Sequence, residues 1–509
     1  MRMTEMDHPH TSRLDRVPTI EALNLLADAD RELFGSDAWG AGLLDPDFLA
    51  GLEALWRRIH DTLRKPGGRV VFGGAGTSGR LALQCAATSG KPQVHGLLAG
   101  GMAAYFRARE GVEDSPAAGH ADLVPYLADP GPAVYVGITC GLSAAYVAGQ
   151  VAACLDRPDT TVAVLGFTSP GTAVDRPLTG LGRHGDSFRA LLATMQEMPD
   201  AFVLTPAIGP EPLTGSTRMK GGTATKITLD VLLGTEAPRA RIETCRQVLA
   251  DAYHRASDLS HVIEAAVACL AEDGQLVYLA PDRLGLMAIL DASECPPTFG
   301  AKPNQVQARV PGTVTRWLPG FDMSLHRLVP VEGWLGDGAK GRRIPPRAVL
   351  ALRPPEAILP PGVAVPGDAI LLTLPEPDAV RTWDAGLRDL WWKWRLNAVS
   401  TLGFVGAGKV FGNRMIDLRI SNLKLYTRAC RIVAHLGRCS EDDADDVLRR
   451  LLDATVGVPR EALIARAVRQ TRLVPRAALV ARGLTPEAAE ARLRRHPKIV
   501  DALAAEGIE

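Results

Sequence analysis

Three short stretches combine glycines, hydroxyls and the ends of apolar runs in a way that suits anion chemistry. The first is "GGAGTSGR" (73–80), which follows the strand-like Val70-Val71-Phe72. Gly74, Gly76 and Gly79 spell G-x-G-x-x-G, the pattern of a dinucleotide turn. That chemistry also needs an acidic residue about 20 positions further on for the ribose hydroxyls. No Asp or Glu occurs between Gly79 and Arg109, so the dinucleotide reading fails. What remains is a strand-to-helix turn where backbone N–H groups, a helix N-terminus, Thr77, Ser78 and Arg80 converge, a cradle for phosphate. The bland alternative is a tight turn that holds no ligand. "GITCGLSAAYVAGQ" (137–150) is a second strand end opening through Gly141 and Ser143 into a helix, and "TGSTRMKGGTATK" (214–226) adds Ser216 and Thr217. Three such loops suit a sugar phosphate, which needs anion donors and hydroxyl partners together. Ligands of open parallel sheets sit beyond the carboxyl ends of the strands.

The elements that must position these loops are short apolar runs alternating with helical stretches. "RVVFGG", "VHGLLAGG", "AVYVGI" and "TVAVLGF" are continuous rather than alternating in hydrophobicity, which predicts a parallel sheet covered on both faces. Residues 19–64 read as helices, "TIEALNLLADADREL" carrying a Thr cap and an early Glu. A second cycle starts with a helix near 246–272 and the strand "QLVYLA" (275–280). The segment between 330 and 370 reads as extended connections between short strands, and the chain after "WWKWRLNAVSTLGF" reads as helical to its end. A faint repeat underlies this order: "LVYLAPDRLGLMAILDASECPPTFG" (276–300) takes the strand-loop-helix place of "VVFGGAGTSGRLALQCAATSG" (70–90). Trp391, Trp392 and Trp394 read as helix packing, and "HPH" (8–10) as a mobile tail rather than a metal site.

The chain has 509 residues and 57 basic against 57 acidic side chains, so no global field draws in nucleic acid or a membrane surface. Its eight cysteines form no C-x-x-C pair and read as reduced thiols. The histidines show no ligand spacing, and neither a metal nor another cofactor is expected. No apolar run approaches the roughly 20 residues of a membrane span, and the first residues lack the apolar core of a signal peptide. The expectation is a cytoplasmic protein.

"GAGTSGRL", "EGVEDS", "GSTRMKGGTATK", "DASECPPTFG" and "GKVFGNRMIDLRISNLKLYTRA", in that order, resemble the family of bacterial N-acetylmuramic acid 6-phosphate etherases and the vertebrate glucokinase regulatory protein. The resemblance runs from about Asp15 to the end. It implies two sugar-isomerase (SIS) domains, each an α/β unit with a doubly wound parallel sheet, plus helical N-terminal and C-terminal segments. The expected boundaries are a helical segment at 1–57, the first SIS domain at 58–245, the second at 246–408 and a C-terminal helical domain at 409–509.

The resemblance also implies the site residues. In the etherases the cradle runs straight into "DASECPPT". Here the first unit has Thr88 where that glutamate belongs, and the second keeps Glu294 but has "APDRLGL" in place of a cradle. One composite site is therefore expected, with Glu294 reaching the first unit's cradle. The family's other carboxylate maps onto Glu113 of "EGVEDS". Gly76, Thr77, Ser78, Thr139, Cys140, Gly141, Ser216, Lys424 and Arg428 map as ligand residues, the last two sharing a helix face. Two functions follow. The first is an etherase, a lyase that uses Glu113 and Glu294 for acid–base work to release lactate from N-acetylmuramic acid 6-phosphate. The second is a non-catalytic sensor of fructose phosphates that inhibits a partner sugar kinase. Both glutamates favour the enzyme. The two-domain length and the loop "TCGLSAAYV", where etherases carry an "ASGRTPYV"-like loop, favour the regulator.

Overall fold

A computed structural model describes residues 2–107, 109, 111–254, 256–310, 347–352, 369–374, 376–420, 422–454 and 457–505, except the side chains of Asp282, Arg347 and Lys424. Two helices come first, α1 (Thr19–Arg31) and α2 (Pro46–Arg64). Asp45 caps α2 by accepting from the Asp47 and Phe48 N–H groups, with Pro46 in the first turn. Thr19 does not cap α1 as the sequence suggested: Pro18 holds that position and Thr19 is already helical.

The first sheet follows as β1 (Arg69–Gly74), α3 (Gly76–Thr88), β2 (Val94–Leu98), α4 (Gly101–Phe106), α5 (Pro116–Leu123), β3 (Ala133–Ile138), α6 (Ala145–Leu155), β4 (Thr160–Leu165), α7 (Phe188–Gln196) and β5 (Ala201–Leu204). All pairings are parallel, in the order β2-β1-β3-β4-β5. The strand runs are apolar throughout because both faces are covered. Val70, Phe72, Val134 and Val136 point into a core shared with Leu52, Leu81 and Ile227, whereas Val71 and Tyr135 face Val147, Val151 and Leu191. A buried helix, α8 (Lys220–Leu233), closes the unit.

After α9 (Pro238–His254) and α10 (Ala256–Ala271), the second sheet runs β6 (Gln275–Leu279), α11 (Asp282–Phe299), β7 (Val306–Arg309), β8 (Arg347–Ala351) and β9 (Ala369–Thr373). Its order, β7-β6-β8-β9, is again parallel and repeats the first four positions of the first sheet. The weak repeat in the sequence is thus a repeat of topology. Most of the 330–370 segment lies outside the described residues; β8 and β9 are the strands seen there. After the one-turn α12 (Asp378–Arg381), the 22-residue α13 (Ala385–Gly406) is buried along almost its whole length. Its tryptophans pack as expected: Trp391 donates to Asp251 Oδ1 (2.8 Å) and Trp392 to Glu376 Oε1 (3.0 Å).

A two-stranded hairpin, β10 (Val410–Phe411) and β11 (Arg414–Met415), interrupts the helical ending that the sequence suggested. Six helices then complete the described chain: α14 (Leu423–Gly437), α15 (Glu441–Leu451), α16 (Arg460–Ala467), α17 (Leu473–Ala481), α18 (Pro486–Arg495) and α19 (Ile499–Ala504). Among the described residues no helix is long and apolar enough to cross a membrane.

One expectation is overturned outright. The segment carrying "HPH" is no mobile tail. His8 is fully buried, 3.0 Å from Glu32 Oε2, and its carbonyl accepts from Asn413 Nδ2 at 2.8 Å. Thr11 Oγ1 donates to the Pro212 carbonyl at 2.7 Å. The segment straps across both the first unit and the C-terminal part.

Candidate functional site

The turn between β1 and α3 has its shape because glycine is obligatory there. A Cβ on Gly79 would lie 2.3 Å from the Gly74 carbonyl oxygen, and Gly76 sits at φ +55°. Strand and helix can therefore approach closely, and the first turn of α3 presents its N–H groups beyond the strand ends. Thr77 and Ser78 are buried in that turn, and Ser78 Oγ lies 3.5 Å from Cys140 Sγ in the loop after β3. That loop is held from within. Thr139 Oγ1 accepts from the Ser143 and Ala144 N–H groups (3.2 and 3.3 Å), and Leu142 sits at φ +47°.

These loops open onto one pocket. Gly76, Thr77, Ser78, Thr139, Cys140, Gly141 and Ser216 line it, together with Glu113, Glu294 and Arg428. Of the residues expected at the site, only Lys424 goes unplaced: its side chain lies outside the described residues. The pocket draws on both α/β units, the loop after α4, the C-terminal part and the strap. Among the described residues no His/Cys/Asp/Glu group has the makings of a metal site.

Glu294 reaches this pocket from the second unit by way of α11. Pro296 and Pro297 stand in the last turn of that helix, and Gly300 in the left-handed region ends it, its N–H donating to the Pro296 carbonyl. Asp291 and Glu294, spaced i and i+3, share the face turned toward the first unit. There Asp291 Oδ1 accepts from Arg218 Nη1 (2.9 Å), and Glu294 pairs with Arg80 Nη1. Arg218 also donates to Ser400 and Thr401, while Arg80 donates through Nε to the Tyr105 carbonyl (3.0 Å). Arg80, read from the sequence as part of the anion cradle, lines the pocket and commits Nη1 to Glu294 and Nε to the Tyr105 carbonyl. It is buried and holds Glu294.

Glu113 is half-buried in a short 3-10 turn, Val112–Asp114. Its Oε1 accepts from Asn422 Nδ2 at 2.8 Å. Asn422 is also the N-cap of α14, its Oδ1 accepting from the Leu425 N–H. One side chain therefore starts the C-terminal helix and holds Glu113. Arg428, farther along the same helix, is forked onto Glu5 of the strap (Nε–Oε2 3.2 Å, Nη2–Oε1 2.8 Å). Its guanidinium lies flat on Gly215, where a Cβ would meet it at 2.4 Å.

The start of α8 is fixed by buried charge. Glu211 accepts from the Lys220 and Gly221 N–H groups (2.8 and 2.9 Å), and burial pushes its carboxyl up to about 7. Lys220 donates to Glu32 at 2.6 Å, and burial lowers its pKa. Burial alone would raise Glu32, but the bonds from His8 and Lys220 outweigh it and its carboxyl lies below the ordinary value. "STRMKGG" is therefore largely a positioning motif, with Arg218 and Lys220 facing protein partners. Local sequence carried no signal for Asn422, Arg218 or Glu5, whose partners lie 73 to 423 residues away.

Comparison with known proteins agrees with this organisation. Residues 54–155 match the family described as the glucokinase regulatory protein N-terminal SIS domain, and residues 253–316 match its second SIS domain. Residues 412–503 match the C-terminal lid domain of glucokinase regulatory protein. The human glucokinase regulatory protein is 28% identical over 526 residues, covering 89% of this chain and 82% of its own. An N-acetylmuramic acid 6-phosphate etherase of Salmonella enteritidis PT4 is 34% identical over 236 residues, covering 45% of this chain and 68% of its own. Among solved structures, tagatose-6-phosphate ketose/aldose isomerase from Escherichia coli aligns with a TM-score of 0.46 at 14% identity, over 78% of this chain and 94% of its own.

Proposed function

The chain belongs to the family that joins glucokinase regulatory proteins and N-acetylmuramic acid 6-phosphate etherases, and from that premise we propose that its pocket binds a phosphorylated amino sugar and cleaves the lactyl ether. The phosphate sits in the turn of Gly76, Thr77 and Ser78, where the N–H groups of α3 and two hydroxyls supply donors. Thr139, Cys140, Gly141 and Ser216 line the sugar, and Lys424 and Arg428 add positive charge from α14. One of Glu113 and Glu294 takes the proton from carbon 2. The other gives a proton to the ether oxygen as the bond from carbon 3 to that oxygen breaks, and lactate leaves. Water then adds to the resulting double bond, its hydroxyl to carbon 3 and its proton to carbon 2, giving N-acetylglucosamine 6-phosphate. General acid–base groups contribute about 10²–10⁴-fold each in such steps.

The observation that carries this reading is the meeting of two carboxylates from different units at one cradle, each held by its own donor, Arg80 for Glu294 and Asn422 for Glu113. Incubating the protein with N-acetylmuramic acid 6-phosphate should release lactate. Absence of lactate at high enzyme concentration would remove the lyase.

A second reading is favoured by the length of the match to the human regulatory protein, 82% of that chain. In it the same pocket binds fructose phosphates and both glutamates only accept bonds from sugar hydroxyls, the chain acting on a cytoplasmic sugar kinase. Kinase inhibition that depends on fructose phosphate, with no lactate release, would select it.

A further inference from the structure

One wall of the pocket is built by Arg2, Thr4 and Glu5. This stretch is anchored: the Met3 N–H donates to Thr168 Oγ1 at 3.0 Å, Glu5 forks onto Arg428, and Asp7 accepts from Arg414 Nε (3.1 Å) and Thr214 Oγ1 (2.9 Å). Within it Arg2 is the exception. Its guanidinium makes no hydrogen bond or ion pair with any described residue, although it is half-buried. It lies at the loop after β3, with Nη1 3.5 Å from where a Cβ on Gly141 would stand and Thr4 Oγ1 3.1 Å from the same point.

The charges around Arg2 make its placement costly. Glu5 is the acidic neighbour that acts on it most strongly, and Glu5 also serves Arg428; Arg428, Arg431 and Arg176 act on it as like charges. Burial and these cations both pull its pKa below the ordinary arginine value, Glu5 opposing them. A half-buried guanidinium under the like charge of Arg428, Arg431 and Arg176, with Glu5 shared with Arg428, is only partly compensated and has room for a further counter-ion. The pocket is where that counter-ion can enter.

We propose that Arg2 is a ligand-binding residue, carried into the pocket by the strap to hold an anionic oxygen group of the bound molecule, a phosphate or a carboxylate. This rests on the sugar-phosphate reading above. Thr4 supplies a hydroxyl beside it, and the planar fork of arginine suits either anion.

The test is a calorimetric titration of the full chain and its Arg2→Met and Arg2→Lys variants with two probes. Fructose 6-phosphate carries a phosphate alone; 6-phosphogluconate adds a carboxylate. Arg2→Met weakens both by at least about ten-fold if the group is phosphate, and only 6-phosphogluconate if it is carboxylate. Arg2→Lys keeps part of the affinity. The melting temperature of Arg2→Met is unchanged or raised, because the guanidinium has no partner in the fold; a merely structural arginine would lower it. Wild-type binding of both probes that Arg2→Met leaves within about two-fold overturns the proposal. Failure of the wild type to bind either probe or N-acetylglucosamine 6-phosphate overturns the sugar-phosphate reading, and this assignment falls with it.

Discussion

The turns after β1 and β6 occupy equivalent places in two sheets of matching order, yet one opens onto a pocket and the other is shut. In the register of the repeat, Thr77 corresponds to Arg283, Ser78 to Leu284 and Thr88 to Glu294. The first turn presents two short hydroxyls and the free start of a helix. At the second, Arg283 forks onto Asp389 of α13 (Nε–Oδ2 2.9 Å, Nη2–Oδ2 2.7 Å), with Lys226 Nζ 3.6 Å from the same carboxylate. A protein carboxylate thus meets the cations where a ligand anion would have met them. The helix that follows the second turn serves the first unit: α11 presents Asp291 and Glu294 to Arg218 and Arg80.

The contrast can be broken most severely at the two glutamates. If the open turn is catalytic, Glu294→Gln and Glu113→Gln each lower lactate release by about 10²–10⁴-fold while sugar-phosphate affinity stays nearly constant. Equal losses of affinity and rate would make them binding groups instead.

The shut turn should answer in stability. Asp389→Asn leaves Arg283 without its counter-charge, while Lys226 keeps Asp230, and costs about 3 kcal/mol, read from urea denaturation. Ligand affinity in the first unit should move by less than about two-fold, since the sites share no partner. A large fall in affinity would mean that the second turn still serves the ligand.

A smaller effect is expected at the cradle. Ser78→Ala removes one hydroxyl donor to a charged group and should cost about 1.5–3 kcal/mol of binding by calorimetry, with little change in melting temperature. Unchanged affinity would reduce the open turn to a bare turn.

The smallest concerns the start of α13, which carries Asp389. Asp384 caps that helix and accepts two bonds from Arg241. Those bonds, outweighing burial, hold its carboxyl at about 2, below its ordinary 3.8. A lowered carboxyl pKa stabilises the fold above the unfolded value and is lost as pH falls from about 3.8 through about 2. Asp384→Asn keeps the cap and loses the charge. Because the carboxylate is about half exposed, the expected loss is about 1 kcal/mol at pH 7, vanishing toward pH 2 in urea melts.

Much of this contrast was legible in the sequence. Continuous apolar runs ending in glycine pointed to the first sheet, because strands covered on two faces leave no polar alternation; the second was read from "QLVYLA" and the faint repeat. The split of the cradle from Glu294 pointed to a shared pocket. What stayed hidden depends on partners far apart in the chain. Arg80 reads locally as an anion ligand, and only the packing of α3 against α11 turns it to Glu294. Asn422 carried no local signal, and nothing beside it announces Glu113, 309 residues away. His8 sits among polar residues with no apolar periodicity, so its burial against Glu32 left no local trace. β5, four residues long and mostly half-buried, is too short for an apolar run to stand out.

On the proposed function, each chain holds a single ligand site, at the first turn and shared with the second unit. Calorimetric titration of the full chain with N-acetylglucosamine 6-phosphate, the product of the proposed reaction, tests it most directly. One ligand should bind per chain, and binding should be abolished when Thr77→Arg and Ser78→Leu install the residues of the shut turn. Two ligands per chain, or one that still binds after those substitutions, would contradict it.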